Sequence, residues 1–361
     1  MKQRLSNACF LLSRTVEKPQ KKPICLSVAL LALIGMFGGT VAREARAFDL
    51  FQISTDGKSR EPSVSGSIVV WEGDGWGEID GMNLATGERF VVFDSESFAF
   101  GAQISGTMVV WQDIGEDFHG NIYGKDLAVG EVFPIAVGPG VFEMWPAISG
   151  SNVVWTTTNS APNYQDIVAR TPVSGDPFYV SSAVDDQRRP AISGNTVVWM
   201  EMGMGTNTIW AKQLPDGTPL KVGDNAYSDN GPRIDGDVVV WVKSFSESGI
   251  WARRLDDDAA FRISAVNSQQ YSPAISGDIV VWSDNRNGQY DIYGKNLLTG
   301  LEFPIAVGPG DKWCPAIDGN LVVWHRFLEG RLDIWGTVIP EPATAILLCL
   351  GVFPLVGKRR N

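Results

Sequence analysis

Side chains able to carry chemistry are scarce in these 361 residues. Histidine occurs twice, as His119 and His325, and four cysteines are present. Cys9, Cys25 and Cys349 fall in the two end segments, which leaves Cys314 alone in the body with no partner for an intramolecular disulfide. Two separated imidazoles and one thiol predict neither a nucleophile–imidazole–acid triad nor a zinc site, and no Gly-x-Ser-x-Gly elbow occurs. Carboxylates remain. Acid–base work by carboxylates alone needs a close pair, and Asp113 or Glu116 facing an opposite element would be the candidates. The run Ser283-Asp284-Asn285-Arg286-Asn287-Gly288 has the look of a cation loop, but Arg286 stands where the second oxygen ligand would be. Side-chain-to-backbone turn bonds explain it better. No metal and no cofactor are expected.

The elements that must position these groups are announced by a repeat. A glycine followed five residues later by tryptophan recurs seven times: Gly66/Trp71, Gly106/Trp111, Gly150/Trp155, Gly194/Trp199, Gly236/Trp241, Gly277/Trp282 and Gly319/Trp324. The steps between tryptophans are 40, 44, 44, 42, 41 and 42 residues. Each unit reads as four short strands, as in Pro273-Ala274-Ile275-Ser276, Ile279-Val280-Val281-Trp282, Asp291-Ile292-Tyr293 and Glu302-Phe303-Pro304-Ile305. The Val-Val-Trp runs do not alternate with polar residues, so both faces of that strand must be buried. Four-stranded units of this period are blades, and the prediction is an all-β, seven-bladed propeller over residues 48–338, with the seven tryptophans as core. A solenoid would need polar end repeats, and none is visible. The seventh unit lacks its fourth strand. The segment Phe48–Ser54, which resembles Phe261-Arg262-Ile263-Ser264, occupies that phase and is expected to close the ring and remove an exposed edge.

Both ends differ from the body. Residues 1–47 combine basic residues, an apolar run from Ile24 to Val41 and Ala45-Arg46-Ala47, the features of a signal peptide cut after Ala47 or, second, after Ala42. A retained transmembrane helix is the alternative. The ends carry net charges of +6 (1–47) and +2 (339–361) against −11 for the whole, so residues 48–338 carry −19. Such a body repels polyanions, which argues against nucleic acid or an anionic membrane surface as partner.

The last residues read Pro340-Glu341-Pro342, an apolar run from Ala343 to Val356, then Lys358-Arg359-Arg360. This resembles the PEP-CTERM sorting signal. The resemblance implies an exosortase-type processing protease as partner, transient inner-membrane anchoring, and a destination at the cell surface or in the extracellular matrix. A helix of roughly 15 residues is about 22 Å long, short for a bilayer core of about 30 Å, and the basic cluster would stay on the cytoplasmic side. A plain C-terminal anchor is the alternative. The unit at 272–293 is similar to the TolB-type propeller repeat, a resemblance that covers residues 48–338 and implies a fold rather than a function.

Loops joining fourth to first strands open onto the face where the innermost strands begin. Phe100, Trp145, Tyr227, Tyr271 and Trp313, with Arg188 and Arg189, fall there and are the candidate binding residues at the channel mouth. Together these features lead to the expectation of a non-catalytic exported binding module, its partner an envelope protein or an exopolysaccharide. The alternative is a lyase or glycoside hydrolase using mouth carboxylates.

Overall fold

The computed structural model describes residues 48–340 apart from 75–76, 116–117, 159–163, 183–184, 228–230, 245–247 and 265–267. The signal segment 1–47, the tail from Glu341 to Asn361 and the candidate acid Glu116 lie outside the described residues. No helix among the described residues is long and apolar enough to cross a membrane.

The described chain folds into seven antiparallel sheets of four strands each. Blade one comprises β2 (Arg60–Ser65), β3 (Ile68–Glu72), β4 (Glu78–Asn83) and β5 (Glu88–Asp94), paired in that order. The first strands of the next five blades are β6 (Phe98–Ser105), β10 (Glu143–Ser149), β14 (Asp186–Ser193), β18 (Arg233–Asp235) and β22 (Gln270–Ser276). Blade seven takes β26 (Asp311–Asp318), β27 (Leu321–Leu328) and β28 (Arg331–Val338) from one end of the described chain and β1 (Leu50–Gln52) from the other. First strands of consecutive blades touch one another around the ring, β26 against β2 included, so they line the axis.

Each second-strand tryptophan packs on the sheet of the preceding blade. Trp71 sits with Ile53, Val323 and Ile334, and Trp111 with Val70, Ile79 and Val92. Trp155 meets Val110, Ile122 and Ile135, and Trp199 meets Val154, Ile167 and Val180. Trp241 lies with Val198, Ile209 and Val222, and Trp282 with Val240, Ile250 and Ile263. Trp324 completes the circuit against Val281, Ile292 and Ile305. Seven clusters of this kind, one per interface, take the place of a single core, and all seven indoles are at most 2% exposed. This is why the Val-Val-Trp strands carry no polar alternation.

The Ser-Gly or Asp-Gly that ends each first strand does more than turn the chain. Its Ser or Asp side chain accepts a hydrogen bond from the turn glycine N–H of the following blade: Ser65 from Gly106, Ser105 from Gly150, Ser149 from Gly194, Ser193 from Gly236, Asp235 from Gly277, Ser276 from Gly319 and Asp318 from Gly66, at 2.5–3.0 Å. The seventh bond returns to the first blade, so the latch is a closed circuit. These glycines hold φ between 53° and 62°, the left-handed region, which favours glycine at the turn.

A second rule fixes the fourth strands. A small third-strand residue faces a large fourth-strand one: Gly81 opposite Phe90, Gly124 opposite Phe133, Ala169 opposite Phe178, Ala211 opposite Leu220, Ala252 opposite Phe261 and Gly294 opposite Phe303. In blade seven the pair is Gly336 and Phe51. A Cβ at Gly336 would lie 3.0 Å from the Phe51 ring, so the closing strand's register is set by the same ring-over-glycine packing as elsewhere. The likeness to Phe261–Ser264 extends to the hydroxyl: Ser54 Oγ accepts from Ile334 N–H at 2.8 Å, as Ser264 Oγ accepts from Ile250 N–H at 3.0 Å. Leu50 is 38% exposed, so the apolar burial of the segment falls chiefly on Ile53 and Phe51.

One position breaks the repeat. Third-strand residues opposite the core tryptophans are Tyr123, Val168, Trp210, Trp251, Tyr293 and Trp335, but blade one places Asp80 opposite Trp71. Burial, then the charge of Glu78, pushes the Asp80 carboxyl up to about 6. The folded state thus holds this proton more tightly than the unfolded chain does. Its ionisation removes stability as pH rises from about 4 to about 6. Asp80→Asn should therefore raise the melting temperature at pH 7 and leave it unchanged near pH 3.5, in paired thermal melts. A gain that is the same at both pH values would show that the carboxyl is not strained by its place.

Candidate functional site

The axial strands carry a second ring, this one irregular in chemistry. Near the start of six of the seven first strands, all but β18, the ladder to the second strand slips: between Arg60 and Ser63, Phe100 and Gln103, Met144 and Ala147, Arg188 and Ala191, Tyr271 and Ala274, and Trp313 and Ala316. One residue at each bulge adopts a left-handed backbone: Glu61 (φ 50°), Gly101 (66°), Trp145 (52°), Arg189 (53°), Ser272 (52°) and Cys314 (50°). Only one is glycine. Non-glycine residues in this region cost about 1–3 kcal/mol each and persist where the surroundings enforce them. The enforcement is partly visible. Glu72 Oε1 accepts from Gly101 N–H at 2.8 Å, Gln112 Oε1 from Trp145 N–H at 3.3 Å, and His325 Nδ1 from Glu61 N–H at 3.3 Å. In each case the residue after a core tryptophan holds the bulge of the next blade.

The seven candidate mouth residues all lie on or beside these axial strands, and all are half-buried rather than exposed. They do not form one group. Tyr227, Tyr271 and Trp313 join Tyr290 in a continuous run of rings across blades five to seven, with centroid separations of 5.5, 6.0 and 4.3 Å. Arg189 lies over the Trp145 ring at 4.7 Å, a cation–π pair from adjacent blades. Arg188 turns to Asp186 at 2.7 Å instead. Phe100 stands beside Gly101 on β6. Sequence reasoning missed Tyr290 because it lies in a second-to-third-strand loop, not among the fourth-to-first loops searched.

The other aromatic and acidic candidates are turned into the fold rather than toward the axis. The repeat tryptophans Trp71, Trp111, Trp155, Trp199, Trp241, Trp282 and Trp324 are buried between blades, out of reach of a ligand, so they carry packing and not recognition. The indole N–H of Trp155 is spent inside the fold, donating to Glu143 Oε2 at 2.8 Å. Asp113, considered as a catalytic acid, is buried in the wall and hydrogen-bonded to Ser97, which sets it apart from an acid facing a substrate. Asp284, in the loop that has the look of a cation site, is fully buried and bound to Arg286 at 2.6 Å, Trp282 Nε1 at 3.1 Å and Ser268 at 2.7 Å. It is a turn and packing residue.

The same axial strands carry charged groups and a thiol. Arg233 occupies the place held by Ser63, Gln103, Ala147, Ala191, Ala274 and Ala316 in the other six blades. Although the Arg233 side chain reaches solvent, its enclosure by the surrounding strands and the neighbouring Arg189 charge depress its guanidinium, while Cys314 and Glu61 pull the other way. Cys314 Sγ donates to Glu61 Oε1 at 3.4 Å and lies 3.8 Å from Ser272 Oγ. Burial, then the Glu61 charge, pushes that thiol up, and burial lowers the His325 imidazole to about 4. Glu61, Cys314 and His325 bring one donor atom each within 4.8 Å of one another. The sequence alone gives no sign of such a constellation, because its members are far apart until the ring closes.

No protein-family model matches the chain, and no curated protein does. Solved structures do. An oligogalacturonate lyase in complex with manganese aligns with TM-score 0.63 and 12% identity, covering 83% of this chain and 95% of the lyase. A puromycin-hydrolyzing peptidase of Mycobacterium tuberculosis aligns with TM-score 0.58 and 14% identity, covering 74% of this chain and 48% of the peptidase. The chain thus spans about half the length of that peptidase. TolB from Acinetobacter baumannii aligns with TM-score 0.47 and 12% identity, covering 66% of this chain and 62% of TolB. At these identities the likeness is one of fold. It nevertheless corrects the expectation that the chain is not an enzyme. Peptidases, a prolyl endopeptidase and a lyase are prominent among the neighbours, so a propeller of this build gives no ground for that exclusion. The scarcity of histidine gives none either, once His325 is seen beside a thiol and a carboxylate.

Proposed function

We propose that the chain takes a glycan at the mouth of its axis. The observation that carries this reading is the run Tyr227–Tyr271–Tyr290–Trp313, four half-buried rings spanning three blades at the face where the axial strands begin. Ring faces of this kind stack against the C–H surface of a sugar, and fixed polar groups beside them give orientation. Arg189, held over Trp145 on neighbouring blades of the same face, supplies a charged group. A second reading, that the bound glycan is also cut, is favoured by the enzymes among the neighbours, and product analysis of the same incubations decides it.

The purified chain should bind a subset of an acidic and neutral glycan array, and Trp313→Ala should weaken the best ligand by roughly tenfold or more. A chain that binds peptides and no glycan, or a Trp313→Ala variant that folds and binds as before, removes the reading.

The ends give the setting. The features of residues 1–47 and the Pro340-Glu341-Pro342 tail with Lys358, Arg359 and Arg360 support export, exosortase-type processing and a surface or matrix destination, where exopolysaccharide is at hand. Intact mass of the protein from envelope fractions tests this: a chain beginning at Phe48 supports it, and one beginning at Met1 removes it.

A further inference from the structure

We propose that Glu61, Cys314 and His325 bind a divalent cation of the zinc type that clasps blade one to blade seven. Glu61 lies on β2, Cys314 on β26 and His325 on β27, so the three donors straddle the seam where the ring closes. Their donor atoms lie within 4.8 Å of one another. The Sγ to Oε1 distance of 3.4 Å matches a tetrahedral centre: with zinc–sulfur and zinc–oxygen bonds of about 2.3 and 2.0–2.2 Å, the two atoms would stand about 3.5 Å apart.

The donor set selects the metal. Thiolate and imidazole favour zinc over magnesium, calcium or manganese, which prefer carboxylates, carbonyls and water. Three protein ligands leave one coordination position for water or a ligand group. The hydrogen bond from Glu61 N–H to His325 Nδ1, at 3.3 Å, is the contact that coordination would replace. Arg233 and Arg60 act on the same residues, so binding rests on the donor atoms and not on a negative field. Sequence spacing conceals the site, since Cys314 and Glu61 are separated by 253 residues.

The test uses the purified full chain, stripped with chelator and titrated with zinc, with cobalt as the spectroscopic probe. Expected are one equivalent bound, a thiolate-to-cobalt charge-transfer band, and a melting temperature that rises with zinc. Cys314→Ser should abolish the band. His325→Gln, which retains an acceptor for Glu61 N–H, should weaken zinc by more than the roughly 10–100-fold that loss of an outer-shell partner costs. Glu61→Gln serves the same purpose should the Cys314 variant fail to fold. No stoichiometric zinc, a cobalt spectrum without thiolate character, or binding unchanged in the variants would overturn the proposal. Glycan binding by the metal-free chain is measured separately, so the two readings fail independently.

Discussion

Trp282→Ala should cost about 3–5 kcal/mol, the range for large aromatic truncations in cores. Trp282 is fully buried between blades five and six, with Val240, Ile250 and Ile263 on its far side. Both walls of that slot are hydrogen-bonded sheets, so the space left by the indole has little means of collapsing, and uncollapsed cavities lie at the expensive end of the range. The substitution also strips a donor from the buried Asp284, whose Oδ2 accepts from Trp282 Nε1 at 3.1 Å. Urea unfolding monitored by far-ultraviolet circular dichroism measures the effect. A loss under about 1 kcal/mol would mean that the interface closes over the gap, and that the seven clusters are not the independent cores described.

Removing residues 48–54 should be worse than any point substitution. The deletion takes away three ladder pairs with β28, the Ile53 side chain at 5% exposure and the Ser54 hydroxyl that receives Ile334 N–H. A fully buried apolar side chain of this size is worth about 1.5–3 kcal/mol, and Trp71 would lose its contact with Ile53 as well. The exposed β28 edge, with Trp335 and Gly336 unpaired, would then be free to add strands from other molecules. Removing residues 340–361 takes only Pro340 from the described fold and should leave melting and elution unchanged. Size-exclusion chromatography and thermal melts compare the two. Equal behaviour would show that β1 is dispensable and that the ring holds without its closing strand.

The fold was legible because its determinants are local and repeated. A tryptophan five residues after a turn glycine recurs whatever happens elsewhere in the chain, and the apolar pair before it declares burial on both faces. The same phase placed Trp155, Trp199, Trp241 and Trp324 in the interfaces, though which blade each one packs against is visible only in the ring. The latch was half legible. Ser-Gly reads as a turn, but the hydroxyl's partner is a glycine more than forty residues on, and only the ring brings them together. The Gly-opposite-Phe rule was present in the sequence too, at Gly336 and Phe51, yet pairing them requires knowing that the two ends share a sheet. The site was least legible for the same reason. Histidines and cysteines counted along the chain reveal little chemistry, whereas closure supplies the neighbours: Glu61 from one end of the described chain meets Cys314 and His325 from the other. The mouth aromatics were found through loop phase, and Tyr290 was lost because a different loop delivers it.

The direction of β28 has a consequence for how the molecule presents itself. First strands run from the mouth toward the latch, second strands return, and third strands run toward the latch again. β28 is a third strand, so Val338, Ile339 and Pro340 depart on the latch side, and Ile339 N–H is tied to Asn320 O there at 2.8 Å. β1 runs antiparallel to β28 with Leu50 beside Thr337, which puts Phe48 on that same side. Both ends of the propeller therefore leave from the face opposite the aromatic run. A fusion partner or a sensor-chip linker attached through either end thus joins the ring on the face opposite the aromatic run.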